Sequence, residues 1–171
     1  MANILDTYIF DIELIDLSNK GLTKLPDLTR FTKLKTLDCY NNKLTKLHNL
    51  PNTLTALHCS SNKLTELNNL PNTLSILSCE YNQLTTLNNL PKTLTSLLCG
   101  YNQLTELNNL PNTLTRLSCE YNQLTTLNNL PKTLTSLLCS NNKIRELHNL
   151  PNALSILSCG YNQLMNRHVY N

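Results

Sequence analysis

The sequence predicts a mostly β solenoid of about eight coils, in which parallel strands stack and extended segments carry the chain back. Three observations predict it. A motif recurs at one fixed interval, with cysteines at Cys39, Cys59, Cys79, Cys99, Cys119, Cys139 and Cys159 and prolines at Pro51, Pro71, Pro91, Pro111, Pro131 and Pro151. Fixed self-similarity at such a period marks stacked repeats, none of which can bury its apolar edge alone. The L-x-x-L-x-C run of each coil alternates inward and outward, as a half-buried strand should. A proline closes each L-x-x-L-x-N-L-P return leg, which forbids a helix through it and favours an extended path.

Taken in order, residues 1–11 do not fit the repeat. Ile4, Leu5, Tyr8, Ile9 and Phe10 are expected to cover the open end of the first coil as an N-terminal cap, with a helical turn favoured over an extended path. The solenoid spans 12–164. Its first coil places Ile15, Leu17, Leu22 and Leu25 in the core, and Lys20 stands where later coils carry asparagine, as suits an atypical terminal repeat. The step from Ile12 to Leu34 is longer than every later one, and the extra length in Asp27 to Lys33 is expected to form a short helical turn on the convex side. From Leu34 onward, through Leu54, Leu74, Leu94, Leu114, Leu134 and Leu154, the interval is constant. Each strand is expected to occupy about three to five residues, for example Thr36 to Tyr40. The asparagines Asn42, Asn62, Asn82, Asn102, Asn122, Asn142 and Asn162 follow each strand. A buried amide there can satisfy backbone groups that the turn leaves unpaired. Leu64, Leu67 and Leu70 line the return wall. Leu77 to Cys99 is identical to Leu117 to Cys139, which points to a two-coil duplication and to interchangeable stacking units. Residues 165–171 depart from the pattern and make a thin C-terminal cap, leaving an open edge near Ile156 to Gly160.

Composition excludes several functions. The formal charge of +3 is too small for a nucleic-acid binder, and basic residues do not interleave with tyrosines on one face. Residues 1–10 lack a basic segment and a long apolar core, so no secretory signal is read. No apolar run approaches a membrane span. Seven cysteines cannot all pair within the chain, and each falls two residues after an inward leucine. They read as a reduced, buried ladder of small hydrophobes in a reducing compartment, hence a cytoplasmic protein. No C-x-x-C pair is present, so no zinc, iron–sulfur or other cofactor site is expected.

The motif L-x-x-L-x-C-x-x-N-x-L-x-x-L-x-N-L-P over residues 12–164 resembles the leucine-rich repeat family, with cysteine in the third consensus leucine position. The short Leu-Pro form of the repeat looks like the subclass of secreted bacterial effectors. The Cys- and Asn-rich version is also similar to repeat proteins of giant DNA viruses, which would put the protein in a host cytoplasm. The resemblance implies a right-handed solenoid with its parallel sheet on the concave face, where most members bind proteins. The helical N-terminal segment and ubiquitin-ligase domain of some effectors have no counterpart here, nor do the disulfide-bonded caps of extracellular members.

Outward strand positions form columns across the coils. Asp38, His58 and Ser78 make an Asp-His-Ser line on adjacent strands, but a regular parallel face commits its amides to the sheet and supplies neither oxyanion hole nor cleft. It reads as a solvated polar column, and no catalytic residue is assigned. Glu80 and Glu120 lie two coils apart, about 10 Å, which slightly exceeds the usual gap of an inverting glycosidase pair. His48 and His148 are five coils apart and cannot share a metal; His168 is in the tail. Lys92 and Lys132 read as solvated surface. Tyr81, Tyr101 and Tyr121 fall at one edge of the concave face, with Gly100 leaving a shallow dip between Glu80 and Glu120. Two readings of this edge stand: a partner-binding patch of Glu80, Tyr81, Tyr101, Arg116, Glu120 and Tyr121, or tyrosines that merely support one another across coils. The sequence thus points first to a non-enzymatic protein-binding scaffold using the concave face and its tyrosine-lined edge. A self-associating structural protein comes second, joined through its ends or sheet face, and a hydrolase third.

Overall fold

The computed structural model of the chain describes Leu5, Tyr8 and residues 11–165. Eight strands form one sheet in chain order: β1 (Leu14–Asp16), β2 (Thr36–Asp38), β3 (Ala56–His58), β4 (Ile76–Ser78), β5 (Ser96–Leu98), β6 (Arg116–Ser118), β7 (Ser136–Leu138) and β8 (Ile156–Ser158). Every neighbouring pair is parallel and in register, so Leu37, Leu57, Leu77, Leu97, Leu117 and Leu137 stand side by side. Among the described residues there is no helix, so none is long and apolar enough to cross a membrane.

Three ladders run through the interior. The central leucines of β2 to β7 are at most 1% exposed, and the six cysteines from Cys39 to Cys139 are buried beside them. All seven thiols are free. The asparagine ladder joins coil to coil: Asn102 Nδ2 donates to the carbonyls of Cys79, Cys99 and Gly100, and its Oδ1 accepts from the Leu84 amide of the preceding coil. Asn62, Asn82, Asn122 and Asn142 repeat the arrangement. The sequence reading did not find a fourth ladder. The hydroxyl of Thr73 donates to the carbonyls of Asn52 and Leu54, and Thr93, Thr113 and Thr133 do the same one coil further on. Its signal is the threonine before the first leucine of five successive coils, Thr53, Thr73, Thr93, Thr113 and Thr133.

The strands are shorter than Thr36 to Tyr40. Each ends at its third residue because Asn41 and its equivalents turn left-handed two positions after the cysteine, although bonds such as Cys39 N–H to His58 carbonyl (2.8 Å) continue the ladder past the strand. The expected helical turn at Asp27 to Lys33 does not form. Asp27 accepts from the Thr29 amide, and two successive tight turns close from Phe31 to Leu28 and from Leu34 to Phe31. Each single turn is interrupted because Leu28, Phe31 and Leu34 are all drawn into the core. Beyond each proline the chain makes a similar turn, Leu54 N–H to Pro51 carbonyl at 3.1 Å, before entering the next strand.

At the N-terminal end, Leu5 is buried in the same core and its carbonyl accepts from the Arg30 guanidinium. The Tyr8 hydroxyl donates to the Asp16 carbonyl at 2.7 Å. Ile4, Ile9, Phe10, His168 and the rest of 166–171 lie outside the described residues.

Candidate functional site

From the second coil to the seventh the chain reverses direction twice, with one residue in the left-handed backbone region at each reversal. On the return leg that residue is always asparagine: Asn49, Asn69, Asn89, Asn109, Asn129 and Asn149. Asparagine tolerates this conformation because its short polar side chain bonds locally. At the sheet edge the same conformation is held by Asn19, Asn41, Ser61 and Asn141, but also by Tyr81, Tyr101, Tyr121 and Tyr161, with φ between 52° and 53° for the tyrosines. A bulky residue in this region costs about 1–2 kcal/mol.

Tyr81, Tyr101 and Tyr121 stack in a continuous column, with ring centroids 4.2 Å apart at both steps and rings inclined by 13° and 14°. Each such contact contributes about 0.5–1.5 kcal/mol, which offsets part of the backbone cost. The rings still face solvent, at 53%, 39% and 47% exposure. Tyr161 has the same backbone and no ring neighbour among the described residues, at 86% exposure. Hydrogen bonding with Tyr81, then partial desolvation, pushes the Tyr101 phenol up to about 12, so the central ring of the column is uncharged at neutral pH.

One residue earlier stand Glu80, Gly100 and Glu120. A methyl group on Gly100 would meet the Glu120 carbonyl at 3.3 Å and its carboxylate at 3.6 Å. The expected dip at Gly100 is thus partly occupied by the Glu120 side chain, whose carboxylate also takes a short hydrogen bond from Ser118. Burial, and next the charge of Glu120, hold the Glu80 carboxyl above the ordinary range. A carboxyl raised on folding binds its proton more tightly when folded, so its contribution is favourable at acid pH and is lost as pH rises through the folded value. Glu80→Gln is expected to raise Tm at pH 7, and the advantage should vanish below about pH 4, where both states of the wild type are protonated. Thermal melts at the two pH values measure it.

Arg116 lies apart from the five others. It sits at the opposite end of β6, and its guanidinium donates to Ser96 Oγ at 3.3 Å. The Asp38–His58–Ser78 line is in register, but its hydroxyl and carboxylate are engaged elsewhere. Asp38 accepts from the Tyr40 amide at 2.9 Å, and Ser78 Oγ bonds Ser60 Oγ at 2.8 Å. His148 bonds Glu146 on the return side, and no group of His, Cys, Asp or Glu among the described residues is arranged to hold a metal. Burial pushes the Cys39 and Cys139 thiols up to about 12 and raises the thiols between them too, so the ladder is protonated and unreactive.

No family model and no curated protein matches the chain. Solved structures do. The leucine-rich repeat domain of a Shigella effector is 32% identical with a TM-score of 0.82, over 91% of this chain and 71% of that one. YopM of Yersinia enterocolitica is 31% identical with a TM-score of 0.67, over 84% of this chain and 36% of its own. The functional domain of InlJ from Listeria monocytogenes, which includes a cysteine ladder, is 32% identical with a TM-score of 0.66, over 89% of this chain and 40% of its own. This chain thus spans well under two thirds of YopM and of InlJ. Repeat period, parallel register and buried cysteine column coincide with that likeness in space, and the chain belongs to the leucine-rich repeat family.

Proposed function

We propose that this chain is a non-enzymatic scaffold that binds a partner protein through its sheet face and the tyrosine-lined edge of that face. One observation carries the reading: four tyrosines occupy a left-handed turn position that asparagine fills elsewhere in the same molecule at lower cost, and they remain exposed. Strain retained at an exposed position is a mark of function. Tyrosine suits it, because its ring supplies contact area with little rotamer entropy to lose and its hydroxyl bonds polar groups.

The test replaces Tyr101 and Tyr121 by Asn, the residue the backbone prefers. Proteins captured by the wild type should be lost by Tyr101→Asn/Tyr121→Asn at unchanged far-UV circular dichroism. Equal capture by both would remove the edge from the interface.

A second reading is self-association through the last coil. Ile156 is 55% and Leu157 37% exposed, whereas the leucines equivalent to Leu157 in the interior strands are buried. Mass that grows with protein concentration under reducing conditions would favour it; a constant monomer would remove it. The free, buried thiols support a reducing compartment as the working location.

A further inference from the structure

The tyrosine column differs from the rest of the sheet edge in charge as well as in shape. Two residues beyond each left-handed turn position is an exposed side chain, and from the second coil onward its identity follows the turn residue without exception. Asn41, Ser61 and Asn141 are followed by Lys43, Lys63 and Lys143, while Tyr81, Tyr101, Tyr121 and Tyr161 are followed by Gln83, Gln103, Gln123 and Gln163. The duplicated block explains the likeness of Tyr81–Gln83 to Tyr121–Gln123, but not Tyr101–Gln103 or Tyr161–Gln163. At this position, then, lysine is present from the second coil onward except where tyrosine precedes it. The residue before the turn adds acid in the same stretch: Glu80 and Glu120, on either side of Gly100. Lys63 and Lys143 stand at the two ends of the strip, where the Lys143 ammonium donates to Gln123 Oε1 at 3.3 Å, and Arg116 lies at the far end of β6, engaged with Ser96.

Resting on the partner-binding reading above, we propose that the stacked Tyr81–Tyr101–Tyr121 edge, with Glu80 and Glu120, docks an arginine-bearing segment of the partner protein. An exposed phenol face attracts a guanidinium, which stacks flat on it and keeps its edge donors free. Those donors match a carboxylate in bidentate geometry. The two end rings of the column, Tyr81 and Tyr121, each have one face without an aromatic neighbour among the described residues, and a carboxylate stands one residue away from each. An incoming cation would relieve the repulsion between Glu80 and Glu120, a gain that an acidic or neutral segment could not provide. Lysine would be attracted by the carboxylates but lacks the planar group that stacks on the rings.

Fluorescence anisotropy with labelled penta-arginine, penta-lysine and penta-glutamate peptides tests it on the full chain. Three variants are compared: Glu80→Gln/Glu120→Gln, Tyr101→Asn/Tyr121→Asn, and Glu106→Gln/Glu146→Gln. The last makes the same charge change on the exposed return side. Penta-arginine should bind tightest. Its Kd should rise about tenfold in the first variant and about fivefold in the second, and stay within about twofold in the third. Equal weakening by the return-side variant, or equal affinity for penta-lysine, would mean diffuse electrostatics and overturn the proposal. Absence of penta-arginine binding would also overturn it, while the protein-binding reading would still stand or fall on the capture experiment with Tyr101→Asn/Tyr121→Asn.

Discussion

Asn102→Ala lowers the unfolding free energy by about 1–3 kcal/mol, while Asn108→Ala changes it by less than about 0.5 kcal/mol. The two residues lie in the same coil and differ in where the turn puts them. Asn102 is buried and joins three carbonyls and one amide drawn from two consecutive coils; its removal strands the Leu84 N–H away from water and leaves the Cys79 and Cys99 carbonyls with one ladder partner each, Asn82 and Asn122. One unsatisfied buried group costs about 1–3 kcal/mol, and a cavity adjoins it. Asn108 is exposed on the return leg. Urea denaturation of both variants measures the difference. Equal stabilities would mean that the amide column contributes nothing to holding coils together.

Leu97→Ala should cost about 2–5 kcal/mol, and Leu157→Ala less than about 1 kcal/mol, although the two leucines hold equivalent positions on β5 and β8. Leu97 is fully buried between the leucines of two adjacent strands, and truncation opens a cavity that the rigid stack cannot collapse. Leu157 is 37% exposed and has one neighbouring strand among the described residues. In a solenoid the stability of each coil is a sum of its own terms and those of its two neighbours. Hydrogen exchange should therefore be slowest from Leu54 to Cys139 and fastest toward β8. A similar loss in both variants would show that the last coil is covered in solution.

The constant interval between cysteines, read in the chain alone, is enough to place β2 to β8, their parallel register, and the inward ladders of leucine, cysteine and asparagine. The reason is translational symmetry: once coils stack in register, a residue and its equivalent one period later must share an environment, and inward alternation follows from the pleat. Symmetry is silent on what happens between equivalent positions. That the Asp27 to Lys33 excess would break into two tight turns was decided by the burial of Leu28, Phe31 and Leu34 together. That threonine hydroxyls would bond the carbonyls of the preceding coil depended on the depth of the return turn. The left-handed backbone of Tyr81, Tyr101 and Tyr121, and the 4.2 Å stack it permits, arose only when the turn geometry aimed three large rings along one line. Sequence by itself determined the coil and its repetition; tertiary structure decided the sheet edge, because ring contacts and turn handedness are set by neighbours above and below, which no single coil contains.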